Sequence, residues 1–251
     1  MPSWNIHTAH VESLLGARSP EALGIADVNA FLFGNYVPDI YVGFMVPDTT
    51  YHLDYCLTHH AGVHTIPVPD ADDYWDGFVF RRRPSSPAAS SLTIGAWAHL
   101  LADRVYNGRF RDFCKTHDVP RDDERRVGKQ ADFALFGSSL EISRTVNTTP
   151  ELLEAAQGFR PYSVLPEDVE RSIRVATSIV RENGRAGEQR PAADAAGDGY
   201  RLLSAEWMEA SFAECNRFLV RWLEAWQRLE RQGRRASSAD VRAEMGARLP
   251  A

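Results

Sequence analysis

Helix-forming segments with recognisable ends occupy most of this 251-residue chain, and they constrain its fold more than any other feature. Runs in which apolar residues alternate with polar ones, the pattern of a half-buried strand, are scarce. Caps, prolines in first turns and apolar residues at helical spacing predict the main helices at about 6–17, 92–114, 122–141, 149–159, 165–184 and 204–231. The sequence therefore predicts an all-α, single-domain helical bundle with long loops.

The loops fall mainly in two places. Residues 38–78 are punctuated by prolines and hold many of the aspartates and histidines, and residues 183–200 are poor in bulky side chains. We therefore divide the chain into a helical core over 1–182, a flexible linker or loop over 183–200, a C-terminal helix packing on the core over 201–232 and a peripheral tail over 233–251.

Charge and composition exclude several classes of function. The formal net charge is −6, which disfavours general affinity for nucleic acid or for an anionic membrane surface. No stretch of about 18 uninterrupted apolar residues occurs, and no secretory leader pattern opens the sequence. The three cysteines are too far apart for a C-x-x-C metal knuckle. We expect a cytoplasmic globular protein without a transmembrane segment and without a stable nucleic-acid partner.

His99 and Asp103 lie four residues apart in a predicted helix, "GAWAHLLADRVYN". Side chains at this spacing share one helix face, so the pair could form a hydrogen bond or bind one metal ion. Other candidate ligands, His7, Asp39 and His59, fall in the first helix and the loop-rich region. Imidazole nitrogens combined with carboxylate oxygens suit zinc or a similar divalent ion.

The order of motifs resembles a known family. An N-terminal helix with histidine is followed by "FLFGNYVPDI", "THHAGVHTIPVPD", "AWAHLLADRVYN" and "KQADFALFG". This order is similar to that of the zinc-dependent phospholipase C family, whose superfamily includes single-strand nucleases. The resemblance covers about residues 4–140 and implies a helical bundle of that type, a cluster of one to three zinc or other divalent ions, and hydrolysis of a phosphoester by zinc-activated water.

The resemblance also implies roles for individual residues. His7 matches the first histidine ligand, Asp39 a ligating aspartate that also serves catalysis by holding or deprotonating the water, and His59 the histidine before the "IP" segment, for which His52 is the main rival. The complete expected metal-ligand set is His7, Asp39, His59, His99, Asp103 and Asp132.

Two departures from the family pattern affect this set. Secreted members use the amino group of an N-terminal tryptophan as a ligand, whereas Trp4 here follows Met-Pro-Ser, so we do not expect it to ligate. The H-x-x-x-E pair that follows the central helix in those members is missing, and Lys129 stands where histidine is expected. Asp132 nearby either binds metal, caps a helix end or pairs with Lys129.

Three functions are consistent with these residues. The first is an intracellular phosphoester hydrolase acting on a small phosphoester or a phospholipid headgroup. The second is a single-strand nuclease, for which the basic stretches "FRRRP" and "NGRFRDF" could contact the strand. The third is a non-catalytic, metal-stabilised helical binding protein. The oligomeric state and the substrate stay open.

Overall fold

The computed structural model describes residues 2–64, 66–84, 86–188 and 199–246. These residues form helices and no strand, which confirms the all-α expectation. The helices are α1 Trp4–Ala17, α2 Val28–Gly34, α3 Val37–Ile40, α4 Tyr55–Thr58, α5 Ala71–Tyr74, α6 Pro87–Thr116, α7 Asp123–Ser139, α8 Pro150–Gln157, α9 Pro166–Glu188, α10 Ala205–Arg231 and α11 Ser238–Met245, with a 3₁₀ segment at Pro20–Leu23 and a π-helical segment at Trp75–Phe80.

Polar caps begin the long helices. α7 and α10 begin within about one residue of their predicted starts, whereas α6 begins at Pro87, before the predicted start near residue 92. Ser86, Asp122 and Ser204 each accept a hydrogen bond from the backbone N–H three residues further on, at the first turns of α6, α7 and α10. Each cap occupies a donor that the helix cannot use internally. These helix starts are therefore set locally, which explains why those of α7 and α10 could be predicted closely from the sequence.

The central helix α6 passes through the core and packs on α2 at unusually short range. A Cβ atom added to Gly95 would lie 2.2 Å from the carbonyl oxygen of Phe31, and one added to Gly34 would lie 2.2 Å from that of Leu92. Only glycine at both positions permits this approach of the two backbones. The contact fixes the end of α2, and the loop that follows it, against the face of α6 that carries His99.

A group of four indole rings joins α6 to α10. Trp97 of α6 lies 5.3 Å from Trp222 of α10 between ring centroids, and Trp75 contacts Trp97, Trp222 and Trp226 at 4.9–5.4 Å. Trp75, Trp97 and Trp222 are fully buried. The apolar stripe of the last long helix is therefore core, as its spacing indicates.

The C-terminal part departs from the expected division of the chain. Residues 233–246, predicted as a peripheral tail, dock on the core: Val241 is fully buried, and the Trp75 indole donates to the carbonyl of Ala236 at 3.1 Å. Asp76 also accepts hydrogen bonds from Ser238. The sequence shows few bulky residues here, and the docking depends on partners far away in the chain.

The expected linker over 183–200 is shorter at its first end, because α9 continues to Glu188. Residues 189–198 lie outside the described part of the chain, so the expected mobility of this segment stays a prediction. None of the helices in the described ranges combines the length and apolar composition that crossing a lipid bilayer requires.

The contact between α2 and α6 predicts a large difference between two glycine substitutions. Gly95→Ala forces a methyl group into the Phe31 carbonyl and should lower the free energy of unfolding by about 2 kcal/mol or more. Gly16→Ala, in α1 with no atom within 4 Å of the new Cβ, should raise it by about 0.4–1 kcal/mol through helix propensity. Urea denaturation of both variants measures the difference, and equal stabilities would contradict the close packing.

Candidate metal centre

Five of the predicted ligands come together in the interior. His7 comes from α1, Asp39 from α3, His59 directly follows α4, and His99 and Asp103 lie one turn apart on α6. Their side chains are almost completely buried, with whole-residue exposures between 0 and 3%. Burying two carboxylates and three imidazoles in one place is costly unless each finds a hydrogen-bond or metal partner.

The ligand atoms lie at separations that a single ion requires. His59 Nε2 is 3.2 Å from His99 Nε2, 3.4 Å from Asp39 Oδ1 and 3.6 Å from Asp103 Oδ2. His99 Nε2 is 3.9 Å from both Asp39 Oδ1 and Asp103 Oδ2, and His7 Nε2 is 3.6 Å from Asp103 Oδ1. Ligand bonds of about 2.1 Å in tetrahedral geometry place neighbouring ligand atoms about 3.4 Å apart.

The protons on His59 and His99 decide what can lie between them. The Nδ1 atom of His99 is 2.7 Å from the carbonyl oxygen of Asn35, which can only accept, so Nδ1 carries the proton. Thr58 Oγ1 donates to the carbonyl of Tyr55 and therefore accepts from Nδ1 of His59. Burial and, to a smaller extent, the neighbouring His7 lower the pKa of His99 to about 3, so its imidazole stays neutral. Two Nε2 lone pairs thus face each other at 3.2 Å.

Other buried atoms at the centre lack hydrogen-bond partners as well. Neither ring nitrogen of His7 forms a hydrogen bond, and the same holds for Asp39 Oδ1 and Asp103 Oδ1. Such atoms cost about 1–3 kcal/mol each when they stay unsatisfied. A neutral imidazole offers one lone pair, so His7 supplies one electron-pair donor beside the free carboxylate oxygens. A cation is a partner that satisfies such donors together within each of the two groups that could hold an ion.

One oxygen of each carboxylate is held by a donor that sequence reasoning missed. The Trp4 indole donates to Asp39 Oδ2 at 3.1 Å, and the Tyr55 hydroxyl donates to Asp103 Oδ2 at 3.1 Å. Tyr55 also stacks on His59 with ring centroids 3.8 Å apart. Residues that hydrogen-bond to metal ligands without touching the ion fix the orientation of those ligands, and Trp4 and Tyr55 are placed to do the same for Asp39 and Asp103. The only sequence signal for either donor was the position of Trp4 one turn before His7, which places the two side chains near each other on α1.

Both carboxylates stay ionised at neutral pH. Burial acts to raise the pKa of Asp39, but His99 and His59 hold it below its ordinary value. Burial also opposes ionisation of Asp103, but the neighbouring imidazoles of His7, His99 and His59 keep its pKa below its ordinary value. Among the described residues, no lysine or arginine forms an ion pair with either carboxylate. A divalent cation would balance the two negative charges.

The two interpretations of the His99 and Asp103 pair can now be compared. The closest oxygen of Asp103 is 3.9 Å from His99 Nε2, which is too far for a hydrogen bond. The pair instead belongs to one group of potential ligands with His7, and His99 also belongs to a second group with Asp39 and His59. Buried groups that could hold a metal ion are therefore present, although metal binding itself stays a prediction.

Asp132 lies apart from these groups in its contacts. Its two oxygens accept hydrogen bonds of 2.6–2.9 Å from the backbone N–H groups of Arg201, Leu202 and Leu203, so neither is free for an ion. The ligand role expected for Asp132 has no support in this geometry, and the residue holds the segment that leads into α10. Its predicted pairing with Lys129 is also absent, since Lys129 donates to Asn107.

The other histidines of the loop region lie outside the ligand groups. His60 contacts Asp73 at 3.2 Å, and the side chains of His52 and His64 lie beside Gly43 and Gly62. His59 therefore takes the central position that the sequence left open between it and His52.

No protein-family model matches this chain, and neither the curated proteins nor the solved structures contain a match to it. The functional interpretation consequently depends on the chemistry of the buried groups.

Replacing each of two buried aspartates separates ligation from stability. Asp103→Asn removes an anionic ligand and should weaken metal binding by more than about 100-fold. This exceeds the loss of about 10–100-fold that is typical when a residue hydrogen-bonded to a ligand is replaced. Asp132→Asn should leave metal binding unchanged while lowering the free energy of unfolding by about 1.5–3 kcal/mol, because one charged acceptor is lost. Elemental analysis and urea denaturation of both proteins measure the two effects. A full metal complement in Asp103→Asn protein would remove this residue from the site.

A second pair of variants tests the outer partners. Tyr55→Phe keeps the ring on His59 but loses the hydrogen bond to Asp103, and should weaken metal affinity by about 10–100-fold. Tyr106→Phe makes the same chemical change at a buried hydroxyl without a hydrogen-bond partner and should not alter metal affinity. Competition with a chelating dye measures both affinities, and equal values would show that Tyr55 does not support the site.

Proposed function

We propose that this chain is a divalent-metal-dependent hydrolase of phosphoesters, a divergent relative of the zinc-dependent phospholipase C family that its motifs resemble. The observation that carries the proposal is the pair of facing Nε2 lone pairs on His59 and His99, 3.2 Å apart, with Asp39 Oδ1, which has no donor, 3.4 Å from His59 Nε2. In a buried site that arrangement is repulsive until a cation lies among the atoms.

Zinc is the ion that the donor set fits best. Three imidazoles and two carboxylates form the mixed nitrogen and oxygen environment of catalytic zinc sites. His99 has only one free lone pair because its Nδ1 atom donates to Asn35, so His99 can bind only one ion. The two overlapping ligand groups then describe alternative ligand sets of a single ion.

The residues also supply the parts of a hydrolytic site. A bound zinc ion would act as a Lewis acid and lower the pKa of a bound water towards 7. Asp39 is held by the Trp4 indole through Oδ2, which leaves Oδ1 as the oxygen able to orient water or accept its proton. Next to the centre, a cavity with basic side chains offers room for a substrate, and Tyr55 contributes to its wall.

A second candidate is a structural metal site without catalysis. The near-complete burial of all five side chains favours it, because structural zinc sites are closed whereas catalytic ones keep a position open to water. The two candidates agree on metal binding and differ only in whether water and substrate reach the ion.

Metal removal followed by activity measurements decides between them. Purified protein should contain about one zinc per chain, and chelation should lower its stability, by about 2.7 kcal/mol if the ion was present at 100 times its Kd. Hydrolysis of p-nitrophenyl phosphate or bis-p-nitrophenyl phosphate that disappears with chelator and returns with zinc supports the hydrolase. Bound metal without hydrolysis of either ester, of phospholipid or of single-stranded oligonucleotide supports the structural site. Absence of bound metal contradicts both.

A further inference from the structure

The cavity beside the ligand cluster is the starting point for a statement about substrate class. Its volume is about 560 Å³, within the range of small-molecule sites. Tyr55 belongs both to this cavity and to the cluster, because it lines the cavity, stacks on His59 and donates to Asp103. A ligand in the cavity would therefore lie one aromatic ring away from the candidate ligands.

Lys129 contributes an ammonium group with unused hydrogen-bonding capacity to the cavity wall. Its Nζ atom donates to Asn107 Oδ1 at 2.6 Å and lies 4.7 Å from the ring centroid of Phe110 and 5.5 Å from that of Phe133. No carboxylate pairs with it in the described ranges. An ammonium has three donors, and the bond to Asn107 uses one of them. Burial lowers the pKa of Lys129 to about 8, which leaves it mostly charged at neutral pH.

The remaining charges of the cavity favour an anion as well. Its lining includes four basic residues, Arg121, Arg125, Arg126 and Lys129, and two acidic ones, Asp122 and Asp123, an excess of two positive charges. The carboxylate of Asp122 already accepts a hydrogen bond, because it caps α7 at the backbone N–H of Arg125. A phosphomonoester dianion matches this excess, whereas a phosphodiester carries one negative charge.

The apolar part of the wall indicates what the phosphate is attached to. Tyr55, Ile66, Pro67 and Phe110 line the cavity together with the basic groups. These surfaces suit a compact apolar or aromatic substituent. A cationic substituent such as choline would meet the arginines, and the ring of Phe110 already faces the Lys129 ammonium.

We infer that this cavity binds phosphomonoesters of compact apolar or aromatic alcohols, with Lys129 as a residue that binds the phosphate. The inference rests on the proposed function only in assuming that the phosphoester bond of the bound ligand is hydrolysed at the metal centre. Binding in the cavity can be measured without turnover, and the two claims can fail separately.

Calorimetric titration of the full chain with phenyl phosphate tests the assignment. Phosphocholine is the matched probe, because it keeps the phosphate and replaces the aromatic alcohol with a cationic one. We expect phenyl phosphate to bind at least about tenfold more tightly than phosphocholine. Lys129→Met should weaken phenyl phosphate binding by about tenfold or more, and Lys129→Arg should retain it. Lys115→Met, at an exposed lysine in the last turn of α6, is the control and should bind as the unaltered protein does.

The same samples are analysed for metal and for thermal unfolding. Unchanged binding by folded Lys129→Met protein, tighter binding of phosphocholine, or no binding of phenyl phosphate at millimolar concentration by the unaltered chain would overturn the assignment. Loss of binding in Lys129→Met protein, when no sample contains metal, would support the cavity assignment while contradicting the proposed hydrolase. Metal-dependent hydrolysis by the unaltered protein, together with normal phenyl phosphate binding by Lys129→Met protein, would support the proposed hydrolase and contradict the cavity assignment.

Discussion

The close contact between α2 and α6 sets the position of the central histidine, and the candidate site depends on it. Gly34 and Gly95 let the two backbones approach to a distance that a methyl group would prevent. Asn35 follows Gly34 directly, and its carbonyl accepts the Nδ1 proton of His99, one turn beyond Gly95 on α6. Backbone packing therefore fixes the tautomer and direction of an imidazole, which side-chain contacts alone fix less rigidly.

The cluster shows a consistent division between inner and outer atoms. Asp39, His59 and His99 each use an outer atom for a hydrogen bond, to Trp4, Thr58 and Asn35 respectively, and direct the other atom inward. Asp103 differs, because its Oδ2 atom both accepts from Tyr55 and faces His59, while Oδ1 lies near His7. His7 is a further exception, since it stacks on His99 at 3.9 Å without any hydrogen bond. A core that only needed filling would not leave its polar atoms unpaired on one side.

Local signals in the sequence predicted most of the helices and part of the buried group that could hold an ion. Caps such as Asp122 and Ser204 act within one turn, so their effect is visible in a short window. His7, Asp39, His59, His99 and Asp103 were recognisable by residue type and motif order. Asp132 looked equally suitable, but its oxygens bind backbone N–H groups some 70 residues further along, a contact that no local pattern reveals. The roles of Trp4 and Tyr55 and the docking of α11 depend on the same kind of distant partner.

The wide spacing of the five ligands has a consequence for how the chain folds. They come from four separate helical elements between His7 and Asp103, so an ion held by either ligand group would act as a cross-link that closes long loops. Closing such loops removes conformational freedom from the unfolded chain, and the gain grows slowly with loop length. The ion would then couple α6 to α1 in one ligand group, or to α3 and the end of α4 in the other. Its escape from so buried a position would require these elements to separate, which ties the exchange of metal to the opening of the fold.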